Sequence, residues 1–155
     1  MPRNHDDIPT VLRMQRVLPA PREKVFAALT RADALRQWLC PEGFSVPAAQ
    51  SDPRVGGRYR IEMRAPDGST HRVGGVYREI RPPDLLVFTW AWEPENDMAG
   101  IETTVRVELA ADGSKTLMSM IHTGLPTPKA RDSHAWGWTG AFNNLEQLLA
   151  NEGMP

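Results

Sequence analysis

The stretch His122-Thr123-Gly124-Leu125-Pro126 ends a strand-like segment, and a long helix-like segment then runs to Ala150. On a helical wheel of about 100° per residue, its apolar side chains gather within roughly 120° of arc. This face consists of Ala130, His134, Trp138, Ala141, Phe142, Leu145, Leu148 and Leu149. About two dozen residues at ~1.5 Å each span roughly 36 Å, enough to cross a small sheet. We therefore expect a closing amphipathic helix that packs along a sheet.

The composition indicates one ordinary globular domain. The chain has 155 residues, of which 41% are hydrophobic and 24% charged. A formal net charge of −1 gives no global preference for nucleic acid or an anionic membrane. No apolar run approaches the ~20 residues that span a bilayer, and the first residues lack the apolar stretch of a signal peptide. Cys40 is the only cysteine, so no internal disulfide can form. We expect a cytoplasmic protein with a flexible tail over 1–9 and a single domain over 10–155.

The elements before the closing helix are predicted to be one strand, two short helices and a series of strands. Thr10–Leu18 predicts the first strand, while Glu23–Leu29 and Arg31–Leu39 have helical spacing. Further strands are expected at Phe44–Ala49, Arg58–Arg64, His71–Ile80, Leu85–Trp92, Thr103–Leu109 and Thr116–Thr123. This grouping of elements indicates an α+β protein with an antiparallel sheet of about six to seven strands and helices on one face.

A curved sheet is indicated by glycines and turn signals. Pro66-Asp67-Gly68-Ser69 and Ala111-Asp112-Gly113 are typical of hairpin turns. Gly74-Gly75 lies inside a predicted strand, where glycine commonly marks a bulge or a tight bend. A disordered loop is the alternative at these glycines. A bend there would help the sheet to wrap around the closing helix.

Several segments, taken together, resemble one known superfamily. The segments similar to the START-like, Bet v 1-like superfamily are Leu18–Pro21 with Val25–Leu29, Leu35–Leu39, Val55–Tyr59 and Gly75–Pro83. The segments that resemble the branch named after the activator of Hsp90 ATPase are Leu86–Trp90, Thr116–His122 and Gly137-Trp138 before Leu145. The resemblance covers about residues 10–150 and keeps the order and spacing of the family.

The resemblance implies a helix-grip fold, in which the curved sheet wraps around the long C-terminal helix. It also implies a cavity between sheet and helix that usually holds a hydrophobic small molecule or lipid. No catalytic constellation is shared across the family, so the resemblance implies a container and leaves the reaction open. The chaperone activator has a separate N-terminal domain that helps to bind Hsp90, and no segment here is long enough to supply one.

Aromatic and methionine side chains are the candidate cavity lining, together with two histidines. The predicted ligand-binding set is Tyr59, Met63, Tyr77, Phe88, Trp90, Trp92, Met118, Met120, His122, His134, Trp138 and Phe142. Such side chains give an apolar pocket with a few polar tips. Plain core packing is the alternative, and sequence does not separate the two.

His122 and His134 are the candidates for polar chemistry. His122 is in phase with Met118 and Met120 on its strand, and His134 lies on the apolar face of the helix. The two imidazoles can thus approach one interior space from opposite walls, where they could orient a ligand or transfer protons. The alternative is that each is a structural histidine with satisfied hydrogen bonds.

Other catalytic or metal chemistry has weaker support. Two histidines and the distant Cys40 offer no third metal ligand at a recognisable spacing, so we expect neither a metal nor a cofactor. No activating base neighbours Cys40 in sequence, and no Gly-x-Ser-x-Gly, P-loop or dinucleotide motif occurs. The loop Glu93–Gly100 could be a lid or an ordinary solvated hairpin end. No catalytic residue is therefore assigned.

Trp136 is predicted to lie away from the sheet, about 160° from the centre of the apolar face. It would then be covered by a loop or the N-terminal tail, or be available to a partner, which makes a homodimer possible. The leading functional hypothesis is binding of a small hydrophobic ligand. The alternatives are an enzyme of the polyketide cyclase/dehydratase type that uses the same cavity, and a chaperone-associated protein.

Overall fold

The computed structural model describes residues 11–94 and 98–152. Its elements are β1 (Leu12–Leu18), α1 (Arg22–Thr30), α2 (Ala32–Trp38), β2 (Ser45–Ser51), β3 (Arg58–Arg64), β4 (Thr70–Arg81), β5 (Leu85–Trp92), β6 (Thr103–Asp112), β7 (Lys115–Thr123) and α3 (Pro128–Glu152). The predicted element order is confirmed, with bounds that differ by a few residues. The predicted tail 1–9 and the predicted strand start at Thr10 lie outside the described residues.

The strands form one seven-stranded sheet in the order β1-β7-β6-β5-β4-β3-β2. Every neighbouring pair is antiparallel, so the predicted α+β class and strand number are confirmed. Met120 of β7 lies opposite Met14 of β1 and Val107 of β6. Alternate residues of β3, β6 and β7 are buried, because one face of the sheet is covered by the helices while the other meets solvent.

Helix α3 begins with a local cap. The Thr127 hydroxyl oxygen accepts a hydrogen bond of 3.0 Å from the Ala130 backbone N–H, and Pro128 occupies the first helical position, where proline loses no backbone hydrogen bond. The predicted apolar face is confirmed, since its members are buried apart from the half-buried Leu148. The Asn144 Nδ2 donates to the backbone oxygens of Trp38 and Cys40. The helix is thus held between the sheet and the end of α2, as in a helix-grip fold.

The irregularity between β4 and β5 lies a few residues beyond Gly74-Gly75, where a bulge or bend was predicted. Strand β4 continues through both glycines, so the alternative of a disordered loop is wrong. The register shift between β4 and β5 lies between Tyr77 and Glu79 instead. Gly75 allows the backbones of β4 and β5 to lie close together, because a Cβ atom at this position would lie 2.1 Å from the Thr89 carbonyl oxygen. That oxygen accepts a hydrogen bond of 2.5 Å from the Tyr59 hydroxyl.

Among the residues that the structure describes, each helix is too short or too polar to serve as a membrane span. The space between the helices and the sheet is occupied largely by side chains. Leu145 and Leu149 on α3 and Met118 and Met120 on β7 are each at most 1% exposed. The open space that remains lies toward the first half of α3.

Candidate functional site

A cavity of about 190 Å³ opens between the first half of α3, the end of α2 and one end of the sheet. This end, here called the open end, is where Met63, His71 and Trp92 lie. Its walls are formed by Leu39, Cys40, Pro41, Phe44, Met63, His71, Trp90, Trp92, Met98, Ser133, His134, Trp136, Gly137, Trp138 and Ala141. Trp90, Trp138 and Ala141 are buried at its depth, whereas Ser133 and Trp136 are exposed at its mouth. The site is therefore an apolar cleft with aromatic walls and access to solvent.

Two tryptophans of these walls donate hydrogen bonds to two histidines. The Trp92 indole N–H donates to His134 Nε2 at 3.1 Å, and His134 Nδ1 lies 2.8 Å from the Ala130 carbonyl oxygen. Because Nε2 accepts a hydrogen bond, the imidazole proton sits on Nδ1 and is donated to that carbonyl. Both ring nitrogens of His134 are therefore occupied by protein partners.

His122 has the opposite tautomer for the same kind of reason. The Trp138 indole N–H donates to His122 Nδ1 at 3.1 Å, and His122 Nε2 lies 2.8 Å from the Thr103 hydroxyl oxygen. The Thr103 hydroxyl in turn donates to the Trp90 carbonyl oxygen at 2.8 Å. His122 Nε2 must then carry the proton and donate it to Thr103. Every donor in this chain, from the Trp138 indole N–H to the Thr103 hydroxyl, therefore has an acceptor, and the chain ends at the Trp90 backbone carbonyl oxygen.

The two imidazoles pack edge to face, with ring centroids 5.2 Å apart. Burial, together with a smaller effect of the neighbouring His134, lowers the pKa of His122 to about 3. Burial also lowers the pKa of His134, against a smaller opposing effect of the Ala130 carbonyl. Both rings are thus neutral near pH 7. The geometry agrees with the structural role that the sequence left open as an alternative.

We expect acid to destabilise the fold through these neutral histidines. The pKa of His122 is about 3 in the folded protein against an ordinary value of 6.5, so the unfolded chain binds the extra proton between these values. The stabilisation is complete above pH 6.5 and is lost as the pH falls toward 3. Between pH 7 and pH 5, His122 alone should lower the free energy of unfolding by about 2 kcal/mol.

Urea unfolding at several pH values measures how the free energy of unfolding changes with pH, which we call the pH slope. The range from pH 5 to pH 7 lies above the pH values at which carboxylates titrate. In His122→Asn the amide oxygen can still accept a hydrogen bond from Trp138, but the titrating ring is gone. The slope should therefore fall in that variant. His71→Asn is the control, because the His71 ring is partly exposed. An unchanged slope in His122→Asn would contradict the expectation.

The third wall tryptophan has no such partner. Trp90 packs against Trp138 with ring centroids 4.9 Å apart and meets Trp92 edge to face at 5.6 Å. Its Nε1 is buried and has no hydrogen-bond partner among the described residues. A buried N–H without an acceptor costs roughly 1–3 kcal/mol. Of the indole N–H groups of Trp90, Trp92 and Trp138, the first is therefore unsatisfied and the other two are satisfied.

The structure brings part of the predicted ligand-binding set to the cavity. The predicted residues that line it are Met63, Trp90, Trp92, His134 and Trp138. The predicted residues outside its walls are Tyr59, Tyr77, Phe88, Met118, Met120, His122 and Phe142.

Those outside the walls fill the core for identifiable reasons. Tyr59, Tyr77 and Phe88 form an aromatic cluster of their own, with centroids 5.5 to 6.3 Å apart. The Tyr77 hydroxyl lies 2.7 Å from the Ser51 hydroxyl, so its polar tip is satisfied inside the protein. Phe142 is 2% exposed and contacts both Trp38 and Trp138. These side chains face the interior as expected, but at a distance from the open space.

Sequence reasoning missed the part of the cavity that comes from loops and from small residues. Leu39, Pro41 and Phe44 lie between α2 and the start of β2, and Gly137 supplies space on α3. The sequence analysis named Gly137 only as part of the segment Gly137-Trp138 that resembles the family, and no periodic pattern marked the loop residues. His71, which was not among the candidate site residues, also lines the cavity.

Trp136 is 59% exposed, as expected, and it also lines the cavity. It meets the Phe44 ring edge to face with centroids 6.2 Å apart. Phe44 belongs to the loop between α2 and β2, so this loop contacts α3 at Trp136. Trp136 is thus part of the rim of the site.

The other candidate chemistries find little support in this geometry. Burial raises the pKa of the Cys40 thiol to about 11, so the thiolate is scarce near neutral pH. Among residues 11–94 and 98–152, no group of three or more His, Cys, Asp or Glu side chains could hold a metal ion. Glu93 forms a two-bond ion pair with Arg60 on the outside of the sheet. Glu95 and Asp97 of the predicted lid lie outside the described residues.

Comparison with known proteins adds an independent observation. A family model described as Activator of Hsp90 ATPase homolog 1-like protein, AHSA1, matches residues 19–150. The chain belongs to the AHSA1 family. The predicted branch of the START-like, Bet v 1-like superfamily is thereby confirmed. A comparison with curated proteins gave no match.

Solved structures agree with the AHSA1 assignment. Protein CV1439 from Chromobacterium violaceum is 32% identical with a TM-score of 0.81, over 91% of this chain and 97% of that one. The AHSA1 protein SPO3351 from Silicibacter pomeroyi is 30% identical with a TM-score of 0.83, over 92% and 99%. Protein NE0264 from Nitrosomonas europaea is 26% identical with a TM-score of 0.77, over 93% and 96%. This AHSA1 chain thus shares its architecture with these proteins over nearly its whole length.

Proposed function

We propose that this AHSA1 domain binds a small hydrophobic ligand in the cavity between α3 and the open end of the sheet. The observation that carries the proposal is an open space of about 190 Å³ whose walls include Trp90, Trp92 and Trp138. When an apolar molecule replaces water between large aromatic surfaces, apolar area is removed from water, and the free energy of the system falls. Family membership supports a ligand-binding kind of fold.

The alternative of a cyclase or dehydratase has less support. Such an enzyme needs a group that takes or gives a proton at the substrate. His134 lines the cavity, but its two nitrogens are bonded to Trp92 and Ala130. His122 lies outside the cavity walls and is bonded to Trp138 and Thr103. Neither imidazole has a free nitrogen to offer to a substrate in this arrangement.

The chaperone-associated role and the homodimer stay predictions. Family membership is the observation that bears on the first, because the family model carries the name of the Hsp90 activator. The exposed Trp136 bears on the second. Its position at the mouth of the cavity also suits contact with an entering ligand, so its exposure does not require a partner chain.

Gly137→Leu should weaken ligand binding. A Cβ atom at Gly137 would meet the Pro41 ring at an ordinary contact distance of 3.7 Å, so the helix can accept a side chain there. The remaining leucine atoms would occupy the cavity. We expect the affinity for small apolar probes, from toluene to 1-decanol, to fall at least about tenfold, which corresponds to 1.4 kcal/mol. Ligand-observed NMR measures this loss.

Thr139→Leu is the matched control, because Thr139 is an exposed residue of the same helix that does not line the cavity. It should leave binding unchanged. Native mass spectrometry of the protein purified without added lipid would reveal a retained guest and the subunit number together. If wild type binds no apolar probe and retains no guest, or if Gly137→Leu binds as well as wild type, the proposed function is wrong.

A further inference from the structure

We infer that the ligand of this cavity is an uncharged molecule of one or two rings whose hydrogen-bonding group lies at the mouth. The inference rests on the proposed function and narrows it to a chemical class. Three features of the walls carry it: the volume, the absence of ionic side chains among the described lining residues, and the distribution of unpaired polar atoms.

The volume suits a compact molecule. Cavities of about 150 Å³ with apolar walls can bind benzene, whereas drug-sized ligands occupy roughly 300–1,000 Å³. The present cavity of about 190 Å³ falls near the lower figure. It cannot extend along α3 without repacking, because Phe142, Met118 and Met120 are at most 2% exposed. A long acyl chain therefore has no continuous space, and the tryptophan walls offer flat surfaces for ring stacking.

The walls also disfavour a charged ligand. No Asp, Glu, Lys or Arg occurs among the described residues that line the cavity. His134 is fixed in its neutral form by the Trp92 and Ala130 hydrogen bonds. An ionised carboxylate or ammonium group would lose its hydration there without gaining an opposite charge. Charge on the ligand should therefore weaken binding strongly.

Polar atoms at the depth of the cavity are already used. The indole N–H groups of Trp92 and Trp138 are donated to histidines, and the Cys40 thiol donates to the Phe44 carbonyl oxygen. The unpartnered Trp90 Nε1 has less than 1 Å² of accessible surface, so it does not face the open space. The deep walls present carbon and sulfur to a ligand.

Unpaired polar atoms are found at the mouth instead. The Ser133 hydroxyl is exposed, lines the cavity and has no hydrogen-bond partner among the described residues. His71 contacts the Ser69 hydroxyl through one ring nitrogen, which leaves its other nitrogen for a ligand. The exposed Ser133 hydroxyl can therefore bond a hydroxyl or carbonyl group of the ligand at the mouth while the ligand's rings lie against the tryptophans.

Isothermal titration calorimetry with matched probes tests this class. The probes are 2-naphthol, its charged analogue 2-naphthoate, and the neutral chain 1-decanol, all at pH 7.5. We expect 2-naphthol to bind about tenfold or more tightly than either of the others. Ser133→Ala should weaken 2-naphthol about threefold, the scale of one hydrogen bond, and leave naphthalene unaffected in ligand-observed NMR.

The outcomes distinguish an error in the ligand class from an error in the proposed function. If 2-naphthoate or 1-decanol binds as tightly as 2-naphthol, the ligand class is wrong while hydrophobic binding stands. If Ser133→Ala weakens naphthalene and 2-naphthol equally, the assignment of the polar group to the mouth is wrong. If no probe binds and no guest is retained, the proposed function fails together with the inference.

Discussion

Replacing Gly75 by alanine is expected to lower the free energy of unfolding by about 3 kcal/mol, the upper end of the cost of inserting one methyl group into packed structure. The new Cβ atom would lie 2.1 Å from the Thr89 carbonyl oxygen and 2.5 Å from the Thr89 hydroxyl oxygen. Strands β4 and β5 would have to separate. The Tyr59 hydroxyl and the Val76 N–H would then lose their hydrogen bonds to Thr89. Urea denaturation followed by far-ultraviolet circular dichroism measures the loss.

Gly137→Ala is the control for this prediction. Its new Cβ atom would meet only the Pro41 ring at 3.7 Å. Alanine in a helix interior is favoured over glycine by roughly 0.5–1 kcal/mol, so this variant should gain stability. The unfolded chain is restricted in the same way by both substitutions, and a difference in sign must come from the folded protein. Similar effects of the two variants would contradict the close approach of β4 and β5.

Trp138→Phe is expected to cost about 3 kcal/mol of folding stability, a sum of lost burial and one broken hydrogen bond. The phenyl ring is smaller than the indole and cannot donate to His122 Nδ1. His122 is 0% exposed, so water cannot replace the missing donor. The buried nitrogen is then left without a partner, and this accounts for most of the cost. Chemical denaturation of both proteins at pH 7.5 gives the difference.

Trp90→Phe is the matched comparison, because it removes a similar volume from the same wall. Its indole N–H has no acceptor among the described residues, so the substitution breaks no hydrogen bond and removes an unsatisfied donor. We expect it to cost about 2 kcal/mol less than Trp138→Phe. Equal costs for the two variants would show that the Trp138–His122 hydrogen bond contributes little.

The fold could be predicted from the sequence because its patterns are local. The alternation in Arg58–Arg64 depends only on which side of one strand meets the core, and the apolar face from Ala130 to Leu149 follows from helical spacing. Such a periodic pattern can be recognised without knowing which element packs against the apolar face. Both elements were therefore found with nearly correct bounds.

The cavity could be predicted only in part, because open space depends on packing between distant segments. Met118 and Trp90 both face the interior, yet one is packed solid and the other borders the cavity. The loop that contains Phe44 forms part of the cavity wall, and no periodic pattern predicts where a loop lies. The same loop brings Phe44 to Trp136, which a helical wheel alone placed on the far side.

The hydrogen bond from Trp92 to His134 has a consequence for the chemistry open to this scaffold. Loss of that indole N–H would leave a basic nitrogen lone pair on an imidazole that already borders the cavity, oriented by its Nδ1–H bond to the Ala130 carbonyl. Such an oriented imidazole is the usual starting point for proton abstraction from a bound molecule. The Trp92 indole thus occupies the one ring nitrogen of His134 that could otherwise accept a proton from a molecule in the cavity.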